Sequence, residues 1–193
     1  LNTNVKFFAK FVYKFIKFKN LRDVIILGNS LGGHVGLIFS KLYPKLIKGL
    51  VLTGSSGLYE NSMGDSYPKR EDYNYIKERT EAVFFDPKIA TKKIVDEVYE
   101  TVNDRKKLIK ILAMAKSAIR HNMSNDLPNI LAETAIIWGK NDSVTPPEVA
   151  DEFKKLLPNS QLFWIKNCGH APMMEHPEKF NSVMNSWLKE KKL

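Results

Sequence analysis

Three residues that together can activate a hydroxyl group each follow their own apolar run: Ser30 in "VIILGNSLGG", Asp142 in "IIWGKNDSVTP" and His170 in "WIKNCGHAP". A serine hydroxyl is a weak nucleophile near neutral pH. A histidine within hydrogen-bond reach removes its proton during attack. A carboxylate on the other ring nitrogen fixes the tautomer and stabilises the imidazolium that forms. Gly28-Asn29-Ser30-Leu31-Gly32 has the spacing G-x-S-x-G, in which the serine occupies a strained strand-to-helix turn. That reading expects side chains at Gly28 or Gly32 to clash across the turn. It also expects the backbone N–H of Leu31, at the start of a helix, to point where an oxyanion would form. A phosphate-binding loop would need a lysine here, and there is none.

Other residues compete for these roles. His176 directly precedes Pro177 and reads as a capping or packing residue, whereas His170 follows Gly169 in a loop that can bring its ring over the turn. His34 lies one turn into the helix after Ser30 and is expected to be buried against a sheet; His121 is expected at the surface. Asp151 sits inside a helix and Asp126 in a polar helical stretch, so neither follows a strand as Asp142 does. Cys168 lacks a base of its own and reads as a packing residue. No His, Asp or Glu set has metal-ligand spacing, and the chemistry outlined needs no cofactor.

These residues must be held by strands and helices. "DVIILG" (23–28) reads as a fully buried parallel strand, "LGGHVGLIFSKLYP" (31–44) as a helix stopped by Pro44, and "LIKGLVLTG" (46–54) as a second buried strand. "TAIIWG" (134–139) and "SQLFWIK" (160–166) read as two more strands. "TPPEVADEFKKLLP" (145–158) reads as a helix with Thr145 as N-cap, Pro146 at its first position and Glu148 completing a capping box. Residues 176–192 form the closing helix, with lysines at the end that complements the helix dipole. Residues 4–19 carry lysines at helical spacing, with Val5, Phe8, Val12, Phe15 and Ile16 between them, and read as an amphipathic helix packed on the sheet. Alternating strands and helices imply an α/β fold with a mostly parallel sheet, in which functional groups gather at the carboxyl ends of the strands. Residues 56–130 are helical in pattern from "YPKREDYNYIKERTEAVFF" onward and interrupt this alternation. The expected organisation is therefore an α/β core of residues 1–55, an all-helical insertion at 56–130 and a second part of the core at 131–193.

With 193 residues, 44% hydrophobic and 26% charged, the chain can bury a core of its own. The net charge of +9 comes mostly from lysines spread along the chain, densest at Lys6, Lys10, Lys14, Lys17, Lys19 and Arg22. No zinc spacing or Arg/aromatic stripe accompanies them, which argues against a nucleic-acid partner. A basic amphipathic helix can lie on a membrane, but the packed reading of residues 4–19 is preferred. No apolar stretch approaches the ~20 residues of a membrane helix. Lysines interrupt "NTNVKFFAKFVYKFIKF", unlike a secretory leader. One cysteine allows no internal disulfide, and a cytoplasmic location is expected.

The blocks "VIILGNSLGGHVGLIFSKLYPKLIKGLVLTGSSGL", "IIWGKNDSVTPPEVADEFKKLLP" and "NCGHAPMMEHPEKFNSVMNSWL" resemble the α/β-hydrolase superfamily. The order Ser, Asp, His is also that family's order. The resemblance implies an α/β-hydrolase fold with a helical cap, a substrate cavity between cap and core, and Ser30, Asp142 and His170 as the catalytic triad. "GNSLGG" and "CGH…EHPEKFN" are most similar to the branch containing carbon–carbon hydrolases of aromatic meta-cleavage products and related carboxylesterases. That branch usually has tryptophan after the catalytic histidine, where this chain has Ala171. It also uses a cap arginine, where a rough alignment puts Val98; Arg70, Arg79, Arg105 or Arg120 could substitute. Ser30 argues against epoxide hydrolases and haloalkane dehalogenases, whose nucleophile is aspartate. The family's first four strands, and the loop that supplies a second oxyanion N–H, precede the helix at residues 4–19. Beginning at Leu1, the sequence is thus expected to be N-terminally truncated, matching the C-terminal two-thirds of such a hydrolase. The implied activity is hydrolysis of small carboxylic esters through an acyl-enzyme. The alternatives are carbon–carbon hydrolysis of a diketo acid, or a non-catalytic hydrolase-like protein or inactive fragment.

Overall fold

The computed structural model describes residues 4–61 and 69–193. Leu1 and the start of the helical pattern at Tyr67 lie outside the described residues. Four strands, β1 (Val24–Asn29), β2 (Ile47–Thr53), β3 (Glu133–Gly139) and β4 (Ser160–Ile165), form one parallel sheet in the order β1-β2-β3-β4. All four carboxyl ends therefore lie along one edge, as the sequence pattern requires.

Side-chain alternation distributes the two central strands between two cores. Leu50, Leu52, Ile136 and Trp138 face one way. They meet helix α1 (Val5–Phe18), helix α2 (Leu31–Leu42) and helix α6 (Pro147–Leu156). Val51, Ala135 and Ile137 face the other way and pack against Phe180 and Trp187 of the closing helix, α8 (Pro177–Lys191). A short helix, α7 (Pro172–Glu175), precedes α8. Burial on both faces explains why β2 and β3 read as continuous apolar runs rather than alternating ones.

Between β2 and β3 the described residues form helices and no strand: α3 (Tyr73–Glu81), α4 (Lys92–Asn103) and α5 (Arg105–Arg120), with two short 3-10 turns. Side chains cap all three helices at their N-termini: Asp72 accepts from the Tyr75 amide, Thr91 from Ile94, and Asp104 from Lys106 and Lys107. Met114 and Ala118 of α5 join the first core cluster, so the last of these helices is fastened to the sheet layer. Among the described residues no helix is long and apolar enough to cross a membrane.

The structure corrects several expectations. β1 lies at the edge of the described sheet and is not fully buried there: Ile25 and Leu27 are 38% and 45% exposed. On α1, Val5, Ala9 and Ile16 are buried, but Phe15 faces outward along with Phe7, Phe11 and Phe18. The turn of the helix selects Ala9, not Phe15, for the packed face. α6 begins at Pro147 with Pro146 at its cap, one residue later than expected, and no capping box forms. His121 is half-buried, not at the surface: its Nδ1 lies 2.9 Å from Nε2 of fully buried His34. That contact ties α2 to the end of α5.

Two imidazoles sharing one hydrogen bond cannot both be charged without repulsion. Burial, and secondarily the field of His121, lowers the His34 pKa to about 4; burial also lowers that of His121, with Lys6 and Lys41 adding to the effect and Asp126 opposing it. The unfolded chain therefore binds more protons than the folded one between about pH 4 and 6.5. Stability from neutral His34 is present above that window and lost as pH falls through it. From pH 7 to 4, urea unfolding of the wild type should lose about 2–3 kcal/mol more than that of a His34→Gln variant.

Candidate active site

The site is built where β1 gives way to α2. Ser30 has φ 52° and ψ −120°, an uncommon conformation for a residue with a side chain. Its amide donates to Thr53 O at 3.0 Å, and its carbonyl accepts from the Gly33, His34 and Ser56 amides. The turn fits because a Cβ at Gly28 would lie 2.3 Å from the Gly32 carbonyl carbon, and one at Gly33 2.3 Å from Ser55 Oγ. A Cβ at Gly32 would meet nothing within 4 Å. The expected clash therefore holds for Gly28, fails for Gly32, and falls on Gly33 instead. The Leu31 N–H lies in the first turn of α2, where helix amides have no intrahelical acceptor.

The Asp142 loop follows β3. The carboxylate is 3% exposed and surrounded by donors. Oδ1 accepts from the Val144 and Thr145 amides, each at 2.9 Å. Oδ2 accepts from Thr145 Oγ1 at 2.8 Å and from His170 Nδ1 at 2.9 Å. Thr145, expected to cap α6, instead serves this carboxylate, which is why the helix starts later. Because an ionised carboxylate only accepts, the His170 proton resides on Nδ1, leaving Nε2 with a lone pair.

His170 follows β4, and its loop is tied down from three directions. Its backbone N–H donates to Val83 O, just beyond α3, at 3.0 Å. Its carbonyl accepts from Asn29 Nδ2, which also donates to Thr53 O. Asn29, a nondescript member of the sequence motif, thus links the ends of β1 and β2 to the histidine loop. The ring lies against Gly54, where φ is +49° and a Cβ would come within 2.7 Å of Nδ1. Glu175 holds the same loop, accepting from the Gly169 amide at 2.7 Å and the Phe85 amide at 2.8 Å.

The structure thus brings Asp142 and His170 into direct contact and joins Ser30 to the His170 loop through Asn29. The competitors lie elsewhere. His176 donates to or accepts from no member of this group, its Nε2 meeting Asn167 O at 2.8 Å instead. Asp126 pairs with Lys41, and Asp151 is exposed on α6. Cys168 is fully buried, and burial together with Glu175 pushes its thiol pKa up, the opposite of an activated nucleophile. Among the described residues no group of three His, Cys, Asp or Glu side chains could hold a metal. Thr145, Glu175 and Glu60 were not legible as site residues. Only the Asp-x-x-Thr spacing, which also suits a carboxylate accepting from local backbone and hydroxyl donors, could have pointed to Thr145.

Beside Ser30 lies a cavity of about 220 Å³. Leu31, Ser56 and Glu60 line the core side, and Ile111 and Met114 of α5 line the other. Ser30 therefore opens onto a small, mostly apolar space roofed by a helix from the segment between β2 and β3.

Comparison with known proteins places this geometry in context. A family model described as "alpha/beta hydrolase fold" matches residues 2–177. A 2-hydroxy-6-oxo-6-(2'-aminophenyl)hexa-2,4-dienoic acid hydrolase of Metapseudomonas resinovorans is 30% identical over 188 residues, covering 92% of this chain and 64% of that protein. Lipase 1 of Psychrobacter immobilis is 25% identical over 178 residues, covering 79% of this chain and 51% of the lipase. The crystal structure of MGS-MChE2, an alpha/beta hydrolase enzyme from the metagenome of sediments from the lagoon of Mar Chica, Morocco, is 50% identical. It superposes with a TM-score of 0.79 over 100% of this chain and 73% of that one. The chain spans about half to two-thirds of the length of these curated relatives.

Removing the buried carboxylate would strand two amides, a hydroxyl and an imidazole N–H. Asp142→Ala should therefore lower the unfolding free energy by about 2–4 kcal/mol, and Asp142→Asn, which keeps one acceptor oxygen, by less. Urea denaturation of the two variants beside the wild type checks the order.

Proposed function

The chain belongs to the alpha/beta hydrolase fold family, and from that premise we propose that it is a serine hydrolase of small carboxylic esters, with Ser30, His170 and Asp142 as its catalytic triad. The observation that carries the reading is the His170–Asp142 contact at 2.9 Å, at the same edge of the parallel sheet as a serine held on a strained turn. In this mechanism Ser30 Oγ attacks the ester carbonyl while His170 Nε2 takes its proton. Asp142, already hydrogen-bonded to Nδ1–H, stabilises the imidazolium without becoming protonated. The Leu31 N–H faces the developing oxyanion, a role in which one donor elsewhere is worth about 2.7–4 kcal/mol. The imidazolium then protonates the leaving alcohol. Water, activated by the same nitrogen, attacks the acyl-enzyme and frees the acid. No cofactor enters any step.

The cavity supports small substrates, since about 220 Å³ lies below the ~300 Å³ lower bound of typical drug-sized sites. A second reading, carbon–carbon hydrolysis, draws on the 30% identity to the dienoic acid hydrolase. Against it, Val98, at the position aligned with that branch's cap arginine, packs against a separate apolar cluster of Ile76, Val102 and Leu108. Arg120 lines a groove beside Lys6 and Lys116, on another side of α5 from the serine cavity. The buried free thiol of Cys168 fits the reducing cytoplasm, where we place the protein.

On p-nitrophenyl acetate and butyrate, Ser30→Ala should reduce kcat by at least about 10³-fold. A 2-hydroxy-6-oxo-dienoate should be turned over far more slowly than either ester by the wild type. Esterase activity that survives Ser30→Ala would overturn the reading, and a preference for the dienoate would transfer it to the carbon–carbon branch.

A further inference from the structure

Glu60 is a carboxylate in the wall of the cavity that Ser30 faces, and the triad does not use it. Its position is fixed rather than incidental. Ser56 Oγ donates to Glu60 Oε2 at 2.8 Å, and the Ser56 amide donates to the Ser30 carbonyl at 3.1 Å. Ser56 therefore ties the carboxylate to the backbone of the serine itself. Ser55 Oγ donates to the Ser56 carbonyl at 2.8 Å, so the residue that carries Glu60 is itself held. The side chain is half-buried, and the ion pairs among the described residues do not include it. No lysine or arginine is among the described residues lining the cavity. The remaining wall, with Leu31, Ile111 and Met114, is apolar.

A carboxylate in the wall of a small, largely apolar cavity acts on a second charge brought into it more strongly than it would in bulk water. We propose that Glu60 is a specificity-determining charge filter, which admits esters with neutral acyl groups and rejects those whose acyl chain ends in a carboxylate. The inference rests on the serine-hydrolase reading above and adds the substrate class. Selection of this kind is repulsive: the cavity need not bind the neutral acyl group tightly, only make the anionic one costly.

The test compares p-nitrophenyl butyrate with p-nitrophenyl hemisuccinate, whose acyl chains have equal length and differ in a terminal carboxylate. Rates are corrected for spontaneous hydrolysis. Wild-type kcat/KM should favour the butyrate by about thirtyfold or more, and Glu60→Gln should shrink that ratio by about tenfold. Glu60→Asp, which keeps the charge, should retain most of the discrimination. The ratio isolates the charge, because a merely structural defect would move both esters together. Equal wild-type rates, or a ratio unchanged in Glu60→Gln, would overturn the filter while leaving the hydrolase reading intact. Absence of Ser30-dependent turnover with both esters would overturn the hydrolase reading and the filter with it.

Discussion

The backbone of Ser30 is bound on both sides, and the site is organised around that constraint. Its amide is committed to β2 through Thr53 O, and its carbonyl to three amides, two in α2 and one at Ser56. The left-handed φ of 52° persists because these bonds over-determine it and because Gly28 and Gly33 carry no Cβ where the chain folds back on itself. The neighbours of this turn inherit its geometry. Asn29 reaches the His170 carbonyl from one side, and Ser56 reaches Glu60 from the other. A change in the strand-to-helix angle would move the serine, the histidine loop and the cavity wall together.

Asp142 and His170 depend on bonds beyond the one they share. Asp142 spends both oxygens on its own loop as well as on His170, so its orientation does not depend on the imidazole alone. The histidine loop is held from the helical segment through Val83 O and through Glu175, which also accepts from Phe85. The segment between β2 and β3 is thus coupled to the chemistry at two places. It roofs the cavity with α5, and it anchors His170 at the end of α3. The small, mostly apolar cavity beside Ser30 strengthens charge interactions within it, because low dielectric and weak salt screening weaken them less than bulk water does.

Much of this was legible from residue order. Ser30, Asp142 and His170 each follow a strand, and parallel strands put those ends on one edge. What escaped notice shares a cause: it depends on which residue meets which across the fold. Thr145 carries an N-cap signature, yet its hydroxyl goes to Asp142, and local propensity lost to a buried carboxylate in need of donors. Gly32 belongs to the motif, but the close approach falls on Gly33, one residue along the same helix. Phe15 fits an amphipathic helix, but the contact face runs through Val5, Ala9 and Ile16. The apolar composition of β1 promised burial, whereas its place at the edge of the described sheet leaves Ile25 and Leu27 exposed. His34 and His121 stand 87 residues apart with no local pattern to join them. Glu60 carries no motif; its meaning comes only from the cavity it lines.

The proposed chemistry turns on Ser30 as a nucleophile activated by His170. Covalent labelling of the 193-residue chain with a fluorophosphonate, read by intact mass and peptide mapping, tests it most directly. The expected result is a single adduct on Ser30, formed at least about 10²-fold more slowly when His170 is replaced by alanine. A folded wild-type chain that takes no adduct, or takes one on Ser30 at the same rate without His170, would contradict it.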